Sequence, residues 1–224
     1  MPARSGAFRS PAKGLTFPEL LIAISITTVI AAAAAAVALA VSSAQNDADD
    51  SHSCVQTARV ARLRVSRRLH RASLIIAIDA RRVALWMGDT NDNGQINLDE
   101  LTVLSYQPDS GELHRYWKAF PDWVPQFLKD IFNRSYALND VTNTVYVENE
   151  LVGGWLGQSE VVAADIDSVT FTMDPAPPLT RFARVGMVVS VGDASSETAA
   201  AATLRADRTD DVTYGGGVYR LEGE

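Results

Sequence analysis

The chain has 224 residues, 47% of them apolar, which is enough for one apolar anchor and one globular domain. Its formal net charge of −7 hides a gradient: +3 over residues 1–14, −1 over 15–41, +4 over 42–82 and −13 over 83–224. An acidic carboxyl-terminal part argues against a nucleic-acid partner, which needs a basic face, and a single cysteine, Cys54, excludes an intrachain disulfide.

Residues 1–14 carry Arg4, Arg9 and Lys13 and end at Gly14. From Leu15 to Val41 the sequence is apolar apart from Glu19 and a few hydroxyl residues. As a helix this run measures about 40 Å, more than the hydrocarbon core of a bilayer. A basic start before such a helix predicts a cytoplasmic leader and an exported remainder. An unpaired carboxylate in hydrocarbon costs at least a few kcal/mol, so Glu19 needs a partner.

The order of basic leader, Gly14, a short apolar step, Glu19 and an apolar helix resembles the type IV pilins and the pseudopilins of type II secretion. The resemblance covers about the first 30 residues. It departs from the family at Leu15, where phenylalanine is usual, and at Pro18, which the first turn of a helix tolerates. The resemblance implies that a prepilin peptidase cuts between Gly14 and Leu15. Glu19 would then neutralise the new α-amino group of a neighbouring subunit, since a buried charge is tolerable only when paired. Further implications are a methylated amino terminus, sister pilin or pseudopilin subunits and an inner-membrane assembly platform as partners. The expected location is the inner membrane, with an exported head that joins a periplasmic or cell-surface filament.

The same residues allow a second reading. Ala38-Leu39-Ala40 before Val41 has the small-residue pattern of a signal-peptide cleavage site, which would leave an exported domain with no filament role. Against it, the apolar run exceeds the usual 7–15 residues of a signal peptide and contains Pro18-Glu19.

Residues 42–76 read as a continuation of the helix, because no proline lies between Pro18 and Pro108 and no glycine between Gly14 and Gly88. Val55, Ala58, Arg62, Val65, Leu69, Ala72 and Ile76 recur every three or four residues, an apolar stripe broken by Arg62. Arg59, Arg64, Arg67, Arg68 and Arg71 mostly fall off the stripe. They form a solvated face or a surface for acidic heads of neighbouring subunits. Cys54 reads as a small buried apolar residue.

Residues 77–224 are expected to form a β-rich head. Ile75–Ile78 and Val83–Trp86 predict two strands around a turn at Asp79-Ala80-Arg81. Residues 89–100 follow, with oxygen-bearing side chains at Asp89, Asn91, Asn93, Asn97 and Glu100, Gln95 at the backbone-carbonyl position, and Gly94 at the sharp turn. This is the spacing of an EF-hand calcium loop, ending in a glutamate able to bind through both oxygens. A metal-free Asn- and Asp-rich turn is the plain alternative. The flanks are strand-like, so the loop is expected to clip two strands together. With two carboxylates among its ligands, its calcium affinity falls at about 10⁻⁴–10⁻³ M, typical of extracellular modules.

Further strands are expected at Glu112–Trp117, Val141–Val147, Ile166–Met173, Arg181–Val191 and Thr198–Ala206. A short helix capped by Asp122 and ending at Phe132 would cover the sheet with Trp123, Phe127 and Phe132. Gly215-Gly216-Gly217 reads as a loose tail. The expected fold is α+β and pilin-like: a long amino-terminal helix packed on an antiparallel sheet. His52, His70 and His114 are scattered, and no nucleophile elbow, HExxH, P-loop or dinucleotide motif occurs, so no catalytic residues are assigned.

Overall fold

A computed structural model describes residues 14, 16–91, 93–121, 123–153, 156–204, 212–215 and 218–221. The leader residues 1–13 and Leu15 lie outside these, as do Asp92, Asp122 and Gly216-Gly217. The chain divides into two compact units, residues 1–48 and 49–224. One helix, α1 (Phe17–Arg71), runs through the division.

In the first unit every described residue of α1 is exposed. Its hydroxyls bond back to the helix: Ser25 Oγ donates to the Leu21 carbonyl at 2.8 Å and Thr28 Oγ1 to the Ser25 carbonyl at 2.8 Å. Polar side chains satisfied in this way add little cost in an apolar medium.

In the second unit α1 buries Cys54, Ala58, Ala61, Val65 and Leu69. The expected stripe is therefore displaced at its start. Val55 is 57% exposed and Cys54 is 1% exposed. Small side chains let the helix approach the sheets closely: the Cys54 thiol donates to the Val189 carbonyl at 3.2 Å. Leu69 alone, fully buried, contributes about 1.5–3 kcal/mol.

The helix stops at Arg71, short of the expected Ile76. Composition does not break it. Strand pairing takes over instead, because the Ser73 N–H already bonds the Trp86 carbonyl at 2.8 Å and Leu74–Ile78 forms β1. β1 pairs with β2 (Arg82–Trp86), which pairs with β4 (Leu101–Gln107). β3 (Ile96–Asn97) is a two-residue bridge within the connection. β4 continues to β5 (Glu112–Lys118) and to an edge strand, β7 (Gly157–Ala163), in the antiparallel order β1-β2-β4-β5-β7. A second sheet holds β8 (Ile166–Asp174), β9 (Phe182–Val191) and β10 (Ala194–Thr203).

The five-stranded sheet is covered on both faces, and the second sheet that shares one of these faces with α1 was not anticipated. Ile75, Val83, Leu85 and Leu104 turn to α1 and to Val185, Met187 and Val189 of the second sheet. Leu74, Ile76, Trp86 and Val103 turn the other way, under Leu138, Val141, Val147 and Leu151. The last two belong to a helix, α3 (Thr144–Val152), where a strand over 141–147 was expected. Asn143 decides it: its side-chain oxygen accepts from the N–H groups of Val145 and Tyr146, an N-cap that starts a helix despite the β-branched run. α3 lies so near β7 that a Cβ on Gly157 would meet the Leu151 carbonyl oxygen at 2.6 Å.

Between β5 and α3, helix α2 (Gln126–Phe132) leads to a short strand β6 (Ser135–Tyr136). Trp123 and Phe127 are 69% and 62% exposed, so the expected aromatic cover of the sheet fails. Tyr136, Leu138 and α3 supply that cover. The expected Asp122 cap lies outside the described residues, and Pro125 occupies the N-cap position. The tail around Gly215 is a hairpin of β11 (Val212–Gly215) and β12 (Val218–Leu221), with Leu221 in the core.

Candidate functional site: the apolar helix and the 89–100 loop

The first candidate lies at the start of α1. Thr16 precedes the first helical residue, and Glu19 occupies the third helical position, the spacing of a capping box. The Glu19 carboxylate accepts from the Thr16 N–H at 2.8 Å and from its hydroxyl at 2.7 Å. Both bonds fall on one oxygen, Oε2. Gly14 is exposed, with nothing within 4 Å of where a Cβ would stand. Leu15, the expected first mature residue, lies outside the described residues. The contribution of Thr16 was legible as Thr-x-x-Glu before an apolar run and was missed in the sequence. By length and composition, α1 is able to cross a membrane.

The second candidate is the connection between β2 and β4. Trp86 pairs with Leu101 and the Met87 N–H bonds the Glu100 carbonyl at 2.9 Å, so the loop is a closed clip between neighbouring strands. Asp89 organises its first half. Its Oδ2 accepts from the Gly94 N–H at 2.7 Å, and its Oδ1 from the Asn91 and Asn93 N–H groups at 3.3 and 3.2 Å. Asn91 Oδ1 accepts from the Asn93 N–H and Asn93 Oδ1 from the Gln95 N–H. Gly94 takes φ +74°, where a side chain would be strained although space is open.

The second half is committed elsewhere. Glu100 is 1% exposed. Its Oε1 accepts from the Thr90 N–H at 2.7 Å and the Thr90 hydroxyl at 3.0 Å. Its Oε2 accepts from the Trp86 indole at 3.0 Å and the Asn97 N–H at 3.1 Å. Asn97 Oδ1 takes the Ser135 hydroxyl at 2.8 Å, and its buried Nδ2 has no hydrogen-bond partner. The 133–136 strip holds this half in place, with the Leu98 N–H on the Arg134 carbonyl and the Asp99 N–H on Asn133 Oδ1.

Asp89, Asn91 and Asn93 turn their side-chain oxygens to the backbone of the first half, and Asn97 and Glu100 form a hydrogen-bond clasp in the second. An ion would have to draw Glu100 away from Thr90. Among the described residues no three or more His, Cys, Asp or Glu side chains are grouped to hold a metal ion. The six loop positions are thus brought to one connection, but not into one ligand shell.

A third cluster fastens α3 to the β1–β2 turn. Asp79 Oδ1 accepts from the N–H groups of Arg81 and Arg82 at 2.7 and 2.8 Å. Its other oxygen takes the Thr144 hydroxyl, and Arg82 bridges to Glu148 and, at 3.4 Å, to Asp79. Partial burial works against the Asp79 carboxylate. Hydrogen bonds from Thr144 and Arg81 and the Arg82 charge outweigh it, so its pKa lies below the ordinary value.

Comparison of the chain with family models, with curated proteins and with solved structures gives no match.

Proposed function

We propose that the chain is a structural subunit of a type IV pilus or type II secretion pseudopilus. In this reading it is cut after Gly14 by a prepilin peptidase, held in the inner membrane by α1, and assembled by packing of these helices. The observation that carries the reading is an apolar helix, exposed from Phe17 to Val41 and opened by an acid at its third position. Such a surface needs lipid or other helices to cover it. Cleavage would leave an amine close to Glu19, and Oε1, which the Thr16 bonds leave over, is the oxygen to receive the amine of a neighbouring copy.

The 89–100 loop serves the head as a clasp. We propose that Asp89, Asn91, Asn93, Asn97 and Glu100, with the Gln95 carbonyl, take calcium weakly at extracellular concentrations. Bound calcium would supply positive charge at the mouth of the clip and hold β2 to β4.

Replacing Glu19 by alanine tests the subunit reading. Filaments are expected to be lost, while membrane insertion and the melting temperature of the head stay unchanged. Filaments formed normally by Glu19→Ala overturn it.

A further inference from the structure

Arg64, Arg67, Arg68 and Arg71 stand at i, i+3, i+4 and i+7 on α1, so four guanidinium groups leave one helix face. Beside them runs the edge strand β7. Arg68 Nη2 donates to Glu160 Oε2 at 3.0 Å, Arg115 Nη1 of β5 lies 3.8 Å from the same oxygen, and Arg64 Nη1 donates to the Val162 carbonyl at 3.2 Å. Among the described residues Glu160 is the only carboxylate within ion-pair distance of these five arginines.

Arg115 registers the imbalance most strongly. Its guanidinium lies over the Trp117 ring at 4.1 Å, and its buried Nε has no acceptor among the described residues. Burial, with the charges of Arg68 and Arg71, pushes its pKa down to about 10, and Glu160 offsets this only in part. Like charges at i and i+4 repel, and here Arg64–Arg68 and Arg67–Arg71 repeat that arrangement.

Arg64, Arg67, Arg68, Glu160 and Val162 enclose a cleft of about 130 Å³. This is well below the roughly 300–1,000 Å³ of sites for drug-sized ligands and suits a single functional group. We propose that the cleft is an oxyanion site, taking one carboxylate or phosphate group between Arg64, Arg67 and Arg68, across from Glu160. Planar guanidinium forks match such groups with two parallel hydrogen bonds. Two sources share this chemistry: a small free anion, or an acidic side chain from a second copy, whose residues 83–224 carry −13. The site stands on the head alone and does not depend on the filament reading.

The test uses the full chain in detergent micelles, melted in sodium phosphate and in sodium chloride at equal ionic strength. Phosphate is expected to raise the melting temperature by several degrees over chloride, and the Arg64→Gln/Arg67→Gln variant to lose that increment. Both positions are exposed, so the variant folds. Sedimentation of the same samples separates the sources. Self-association that weakens in phosphate and in the variant assigns the carboxylate to a second copy, and association indifferent to both assigns the site to a free anion. Equal melting in phosphate and chloride, or a phosphate increment that survives in the variant, overturns the proposal.

Discussion

The Trp86 indole N–H donates to Glu100 Oε2 at 3.0 Å, joining the last residue of one strand to the residue that precedes the next. The same carboxylate holds Thr90 and Asn97, so four donors converge on one side chain that is 1% exposed. Replacing Glu100 by alanine leaves the Trp86 and Asn97 donors buried without this acceptor, at about 1–3 kcal/mol each, while exposed Thr90 turns to water. We expect Glu100→Ala to lower the stability of the head by about 3–5 kcal/mol in denaturant unfolding. Glu100→Gln, which keeps one acceptor oxygen, should cost less.

In the calcium reading proposed above, the ion would compete for the same oxygens. At 10 mM calcium and a dissociation constant of about 1 mM, linkage gives about 1.4 kcal/mol of stabilisation, a rise of a few degrees in melting temperature. Calorimetry with calcium and with a chelator should show that rise in the native chain and lose it in Asp89→Ala. Identical melting in both buffers removes calcium from the account.

Asp79 and Glu148 both meet Arg82, and Asp79 also takes the Thr144 hydroxyl. Because the pKa of Asp79 is lowered by folding, its contribution is fully present above the unfolded value of about 3.9 and is lost as pH falls through the lower folded value. Melting followed from pH 6 to pH 2 should therefore fall more steeply in the native chain than in Asp79→Asn. Glu148→Ala, which leaves half-buried Arg82 with only its 3.4 Å contact to Asp79, is expected to cost about 1–3 kcal/mol at neutral pH.

Much of the head was legible because its strands announce themselves by β-branched or aromatic residues bounded by turns. Ile75–Ile78, Val83–Trp86 and Glu112–Trp117 all lie in strands, as does the stretch from Leu101 to Tyr106. The 89–100 connection was legible as a clip between strands, since Gly94 and the Asn and Asp spacing demand a tight turn there. Four things were not. β7 lacks an apolar signature because Gln158, Ser159 and Glu160 face water at a sheet edge. α3 hides behind Val145, Tyr146 and Val147, where one capping residue outweighs weak strand propensity. The first part of the buried face of α1 is chosen by size, with Cys54, Ala58 and Ala61 inside and the more apolar Val55 outside, before Val65 and Leu69 follow the expected stripe. The commitment of Glu100 to Trp86 depends on where the two strand ends meet, which loop spacing does not encode.

The most direct test of the subunit reading is the intact mass of the protein recovered from the membranes of producing cells. The account predicts a chain beginning at Leu15, with residues 1–14 removed. A chain beginning at Val41, or one retaining residues 1–14, contradicts it.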